Sequence, residues 1–214
     1  MEFRSARRVA LCASLTVLAL PAAAHAAVKI AVPQGCVYAS SADTTQTIPY
    51  NLAGMAAGAH YAVNLDGRQV ASGTADASGA ASGEFDAPVL RHAERKATVS
   101  VSDGQTTDQQ TIQLTDFDAA ITPSTGSTRR RVKVALFGWV GNTVFLHYIP
   151  PHSRKPSQTI RIAKTTGTCG RATARIRHLF PAGARKGNWK LIFDTRRRYS
   201  SKTKLRIEYD TTIR

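Results

Sequence analysis

The run Arg129–Pro151, RRRVKVALFGWVGNTVFLHYIPP, decides the fold class. In its first half Val132, Val134 and Leu136 fall on one side, and Arg131 and Lys133 on the other. In its second half Val144, Leu146 and Tyr148 alternate with Phe145, His147 and Ile149. A period of two belongs to a pleated strand, not to a helix. Gly138, Gly141 and Asn142 free the backbone between the halves, and Pro150-Pro151 ends the second. The run therefore predicts two strands joined as a β-hairpin. Nothing in it has the pattern of a catalytic centre.

The same run opens the basic half of the chain. The 214 residues carry a net charge of +15, unevenly spread. Residues 1–27 contribute +2 and residues 28–116 contribute −4. Residues 117–214 hold 21 basic and four acidic residues, or +17. One-sided charge of this kind points to an anionic partner for that half. A hydrophobic content of 43% excludes wholesale disorder. The length allows one or two domains.

Upstream, residues 1–26 read as a secretory signal peptide. Arg4, Arg7 and Arg8 precede the apolar run Val9–Leu20, and Ala24-His25-Ala26 supplies a small-x-small cleavage site. The apolar run is too short to span a bilayer comfortably. The expectation is export through the general secretory route, giving a secreted or surface-associated protein with no transmembrane helix in the mature chain. Cys12 would leave with the signal.

From Val28 the chain turns to short alternating segments broken by Gly, Asp, Ser and Pro. Val28–Val32, Thr45–Asn51, Ala59–Leu65, Arg68–Ser72, Gly83–Ala87, Lys96–Val101 and Thr106–Leu114 read as strands, with Asp66-Gly67 as a tight turn. About seven strands in fewer than 90 residues, with frequent turns, is the pattern of an immunoglobulin-like sandwich. Pro123–Ser127 reads as a linker. Beyond it the layout recurs: residues 46–67 lie over 130–151, 96–104 over 188–196, and 111–114 over 205–208. The expected fold is all-β, with two tandem immunoglobulin-like β-sandwiches, 27–116 and 117–214, after the signal peptide.

The segments TGTCGRATARIRHLFPAGARKGNWKLIFDTRRRYS (166–200), LFGWVGNTVFLHYIPP (136–151) and LDGRQVASGTADASG (65–79) resemble two-domain immunoglobulin-like secreted proteins of high-GC bacteria. The resemblance covers most of residues 28–214. It implies an exported, tandem immunoglobulin-like architecture. The activity of that group is not established, so it brings no catalytic residues to this chain.

The mature chain has two cysteines, Cys36 and Cys169, one per predicted domain. Three states are open to them: a bond between the domains, buried thiols, or pairing between chains. No HExxH, GxSxG, P-loop or dinucleotide-binding pattern occurs, so neither a metal site, a cofactor nor a catalytic residue is predicted. His147 reads as a solvated or edge histidine, and Asp194 as a partner for Arg196–Arg198. Trp189 and Tyr148 are in phase with core positions.

What remains is basic. Arg171, Arg175 and Arg177 alternate with Ala172, Ala174 and Ile176, as Arg131 and Lys133 do with Val132 and Val134. If these two segments neighbour each other in one sheet, they form a flat cationic face. Arginine suits it, because its fork bonds two oxygens of a phosphate or carboxylate at once. The expectation is a non-catalytic binding protein that engages an anionic cell-wall polymer, a polysaccharide or lipid headgroups. Nucleic acid is a weaker match for an exported chain. The alternatives are a structural or assembly module docking onto a protein partner and, more distantly, a secreted hydrolase.

Overall fold

The computed structural model describes residues 27–124 and 130–214. The signal-peptide reading of residues 1–26 therefore lies outside the described residues. Those residues form fifteen strands and no helix, so none of them crosses a membrane as a long apolar helix.

Two sandwiches follow one another. The first contains β1 (Lys29–Ala31), β2 (Cys36–Tyr38), β3 (Thr47–Ala53), β4 (His60–Leu65), β5 (Arg68–Thr74), β6 (Ala81–Asp86), β7 (Glu94–Ser102) and β8 (Thr107–Thr115). Its sheets have the orders β1-β3-β6 and β2-β8-β7-β4-β5. The chain changes sheet between β1 and β2, and β2 then runs parallel to β8 while every other pair is antiparallel. The second contains β9 (Asp118–Thr122), β10 (Val132–Phe137), β11 (Thr143–Ile149), β12 (Gln158–Lys164), β13 (Ala172–Ile176), β14 (Gly187–Asp194) and β15 (Arg206–Ile213). Its sheets are β13-β10-β9 and β12-β11-β14-β15. Both strand orders are those of an immunoglobulin-like sandwich.

Alternation explains the packing. Tyr50, Leu52, Val63, Val99, Val101, Ile112 and Leu114 meet in the first core. Val132, Val134, Leu136, Val144, Leu146, Tyr148, Trp189, Leu191 and Phe193 meet in the second. The internal repeat has a structural basis, since β3, β4, β7 and β8 hold the same places in the first sandwich as β10, β11, β14 and β15 hold in the second.

Two expectations fail. The central run is not a hairpin: β10 pairs with β9 and β13, whereas β11 pairs with β12 and β14 in the facing sheet. Residues 138–142 are an arch that crosses the core, filled by Trp139, which is fully buried. Period-two alternation reports one buried face per strand, and it is the same whether the next strand pairs with it or faces it. The linker is also displaced. Asp118–Thr122 pairs with β10 as the first strand of the second sandwich, so the chain passes between sandwiches at Asp116-Phe117 and not at Pro123–Ser127.

The edge strand β1 is held to the neighbouring sheet through side chains. The backbone N–H groups of Val28, Ile30 and Val32 donate to Thr106 Oγ1, Asp108 Oδ2 and Gln110 Oε1, at 3.1, 3.0 and 3.2 Å. The two-residue step of one strand matches that of the other.

Candidate functional site: the basic outer face of the second sandwich

β10 and β13 are antiparallel neighbours with Val132 opposite Ile176, Lys133 opposite Arg175, and Leu136 opposite Ala172. Alternation turns Val132, Val134 and Leu136 into the core. It leaves Arg131, Lys133, Arg171, Arg175 and Arg177 exposed on the outer side. Arg131 and Arg177 sit at the end of the sheet away from the first sandwich. Arg171 sits at the near end, its guanidinium carbon 5.5 Å from the centre of the Phe137 ring. None of the five forms an ion pair among the described residues. The only acidic side chain on these three strands, Asp118, is 9% exposed and engaged elsewhere.

At the junction, Cys36 of β2 is bonded to Cys169, with Cα atoms 5.0 Å apart. Tyr38 hydroxyl donates to Gly138 O at 3.0 Å, and Trp139 Nε1 donates to Asp118 O at 2.8 Å. The Phe117 ring lies 4.7 Å from Trp139, and Tyr38 meets Phe117 edge-on. The packing leaves no slack: a Cβ on Gly138 would come within 2.6 Å of Asp116 O.

One donor cluster escapes motif reading because two segments, 24 to 26 residues apart, supply it. His92, Asp116 and Asp118 bring a ring nitrogen and two carboxylates within 4.8 Å of one another. They already bond each other. His92 Nδ1 contacts Asp118 Oδ2, His92 N–H donates to Asp116 Oδ2 at 2.9 Å, and Tyr209 hydroxyl donates to Asp118 Oδ1 at 2.6 Å. Burial first, and then the Asp118 carboxylate, hold the Tyr209 hydroxyl well above its ordinary value, so it stays a donor. The cluster thus joins a loop of the first sandwich to the last strand of the second.

His147 and Asp194 correct the sequence reading. His147 is neither solvated nor at an edge: it is fully buried, as is Asp194. His147 Nε2 lies 3.0 Å from Asp194 Oδ1 and 3.1 Å from Arg196 O, and its Nδ1 lies 2.7 Å from Thr159 Oγ1. Asp194 meets no guanidinium of the Arg196–Arg198 run. It accepts instead from the Arg196 backbone N–H at 2.8 Å. Burial here is non-local, because Arg196 and Tyr199 in the connection from β14 to β15 cover the outer face of β11. Alternation alone assigns that face to solvent. Tyr148 and Trp189 are buried, in the core as their phase indicates.

No protein-family model matches the chain, and no curated protein matches it. Among solved structures, the D0-D1 domain of intimin is 14% identical over 86% of this chain and 98% of its own, with a TM-score of 0.33. The titin immunoglobulin tandem A164-A165 is 8% identical over 87% and 95%, with a TM-score of 0.34. The BSP domain of a biofilm-associated protein is 11% identical over 86% of this chain and 29% of its own, with a TM-score of 0.28. At such scores these likenesses carry no functional information.

Proposed function

We propose that the chain is an exported, non-catalytic binding protein whose second sandwich engages an anionic polymer through the outer face of β9, β10 and β13. The observation that carries this reading is the pairing of Lys133 directly opposite Arg175 on an exposed face with no carboxylate free to neutralise it. Like charges in direct cross-strand register destabilise a sheet, and a bound anion removes that cost. From Arg171 to Arg177 the strand rises about 20 Å, enough for several repeats of a polyanion but far more than one small ion needs. A cell-wall phosphate polymer, an acidic polysaccharide or an array of lipid headgroups all match this chemistry. The Cys36–Cys169 bond supports export, since disulfides persist in oxidising compartments.

Replacing Arg171, Arg175 and Arg177 with Ser tests the face, with Lys202→Ser/Lys204→Ser as a control that removes charge elsewhere. The triple variant is expected to weaken binding to a teichoic-acid-type or sulfated polymer at least tenfold at low salt while its thermal midpoint stays put. The control should change binding little. Binding should also fall steeply with salt as counterions are released, by analogy with nucleic-acid binding. Equal losses per charge removed would mean a diffuse basic surface with no site. Failure of the wild-type chain to bind any polyanion at low salt would favour an assembly module that docks onto a protein.

A further inference from the structure

The opposite sheet carries a second cationic feature, built differently. Thr143, Phe145, Thr159, Arg161 and Arg197 line a hollow of about 610 Å³ on the outer face of β11 and β12. Arg161 and Arg197 are exposed and form no ion pair with any described carboxylate. Thr143, half-buried, lines the same hollow.

Beneath the hollow lies the His147–Asp194 pair. Such a buried pair is a poor source of stability, because the cost of taking polar groups out of water offsets what their bonds return. Its contacts show another use. Nε2 of His147 faces a carboxylate oxygen and a carbonyl oxygen, both acceptors, so Nε2 carries the hydrogen. On its other side the ring is held by the contact of Nδ1 with Thr159 Oγ1. Asp194 accepts the N–H of Arg196 while His147 donates to the C=O of the same residue. The pair therefore fixes both backbone groups of the residue before Arg197. It also fixes Thr159, which shares a strand face with Arg161 two residues on. In the sheet Arg161 and Asp194 flank Phe145 in one row, and Thr159 lies opposite His147 in the next. One buried pair thus positions both segments that carry the guanidiniums.

We propose that this hollow is a site for a single tetrahedral oxyanion, a phosphate or sulfate monoester, held between Arg161 and Arg197 with Thr143 as a further donor. A carboxylate is satisfied by one guanidinium fork. Two forks and a hydroxyl around one hollow offer more donors than its two oxygens use, and a tetrahedral group has the extra oxygens. Asp194 does not line the hollow and its Oδ1 is engaged by His147 and the Arg196 N–H, so the two arginines are the charged groups that line it. His147, Asp194 and Thr159 act here as positioning residues. The site is on the other sheet from the polymer-binding face and stands independently of it.

The test is an amide chemical-shift titration of the mature, oxidised protein with inorganic phosphate, glycerol phosphate and acetate at low ionic strength. Saturable shifts at Thr159 and Arg197 are expected with both phosphates, at least fivefold weaker with acetate. Arg161→Gln with Arg197→Gln should weaken phosphate binding tenfold or more, and Arg154→Gln should leave it unchanged. Thr159→Val, which unhitches His147 but keeps both arginines, should weaken it several-fold and lower the thermal midpoint, and Thr159→Ser should restore both. A purely structural role for the pair would not produce that rescue of affinity. The Arg171/Arg175/Arg177→Ser variant, which tests the polymer face, should keep the phosphate shifts. Sedimentation with phosphatidylglycerol vesicles separates a lipid source from a soluble one: loss of vesicle binding in the double Arg→Gln variant assigns the headgroup, and retention assigns a soluble or polymer-borne monoester. Non-saturating shifts spread over every exposed arginine, equal loss in Arg154→Gln, or acetate binding as tight as phosphate would overturn the proposal.

Discussion

A methyl group at position 170 has no room. Gly170 has a φ of +67°, and a Cβ there would sit 2.3 Å from both Trp139 C and Val140 N. The residue is next to Cys169 and packs on the arch that carries Trp139. Gly170→Ala therefore combines a left-handed backbone penalty with a clash against main chain, about 2–4 kcal/mol together. Gly167 has a similar φ of +76° but open space around it, so Gly167→Ala should cost only about 1–2 kcal/mol. Urea unfolding followed by tryptophan fluorescence separates the two, since Trp139 and Trp189 both lie in the second core. Equal midpoints for the two variants would show that the arch gives way. At this scale the sequence was informative about the basic face and misleading about His147. Arg171, Arg175 and Arg177 are legible because side-chain phase on one strand is a local property. His147 has the phase of a solvent-facing residue, and its burial depends on a connection some fifty positions away in the chain that happens to fold back over it.

Among the elements, the edge strand β1 has a pH-dependent attachment. Asp108, which accepts the Ile30 N–H, is held below the usual carboxylate range chiefly by that bond, which outweighs an opposing desolvation, with the Lys29 charge adding a lesser pull in the same direction. Asp103, in the turn before β8, is lowered by the Thr106 N–H, and Asp76 by the Ser78 hydroxyl. A carboxylate with a depressed folded-state pKa contributes its full stabilisation above the unfolded value, near 3.9, and loses it as pH falls through the folded value. The first sandwich should therefore loosen from about pH 4 downward, beginning at β1. Hydrogen exchange at the Ile30 amide measures this directly. Protection that is unchanged at pH 2.5 would show that Asp108 does not hold the strand. Elements were also where sequence reading was both strongest and most limited. Strand positions followed from alternation, and the repeat between halves followed from strand order. The partner of β10 did not, because a glycine-rich connection such as Gly138–Asn142 serves a hairpin or an arch equally well. What decides for the arch is Trp139, whose ring fills the core between sheets and whose Nε1 bonds Asp118 O.

For the whole molecule, the bond between Cys36 and Cys169 sets the route that tension takes. Pulled by its ends, the chain carries force from the N-terminus to Cys36, across the sulfurs, and out from Cys169. The stretch between them, with a sequence separation of 133 residues, is excluded from the load path. That stretch holds most of the first sandwich and the first half of the second, from β2 through β12. Single-molecule extension should fall short of the full contour by about 450 Å until a reductant is added. Equal extension with and without reductant would mean that the sulfurs are not joined in the folded protein. Arg171 lies two residues beyond Cys169, at the start of the basic strand β13. A polymer gripping Arg171 would therefore pass its pull into the covalent bridge almost at once and on into β2, without shearing the core of the sandwich that holds it.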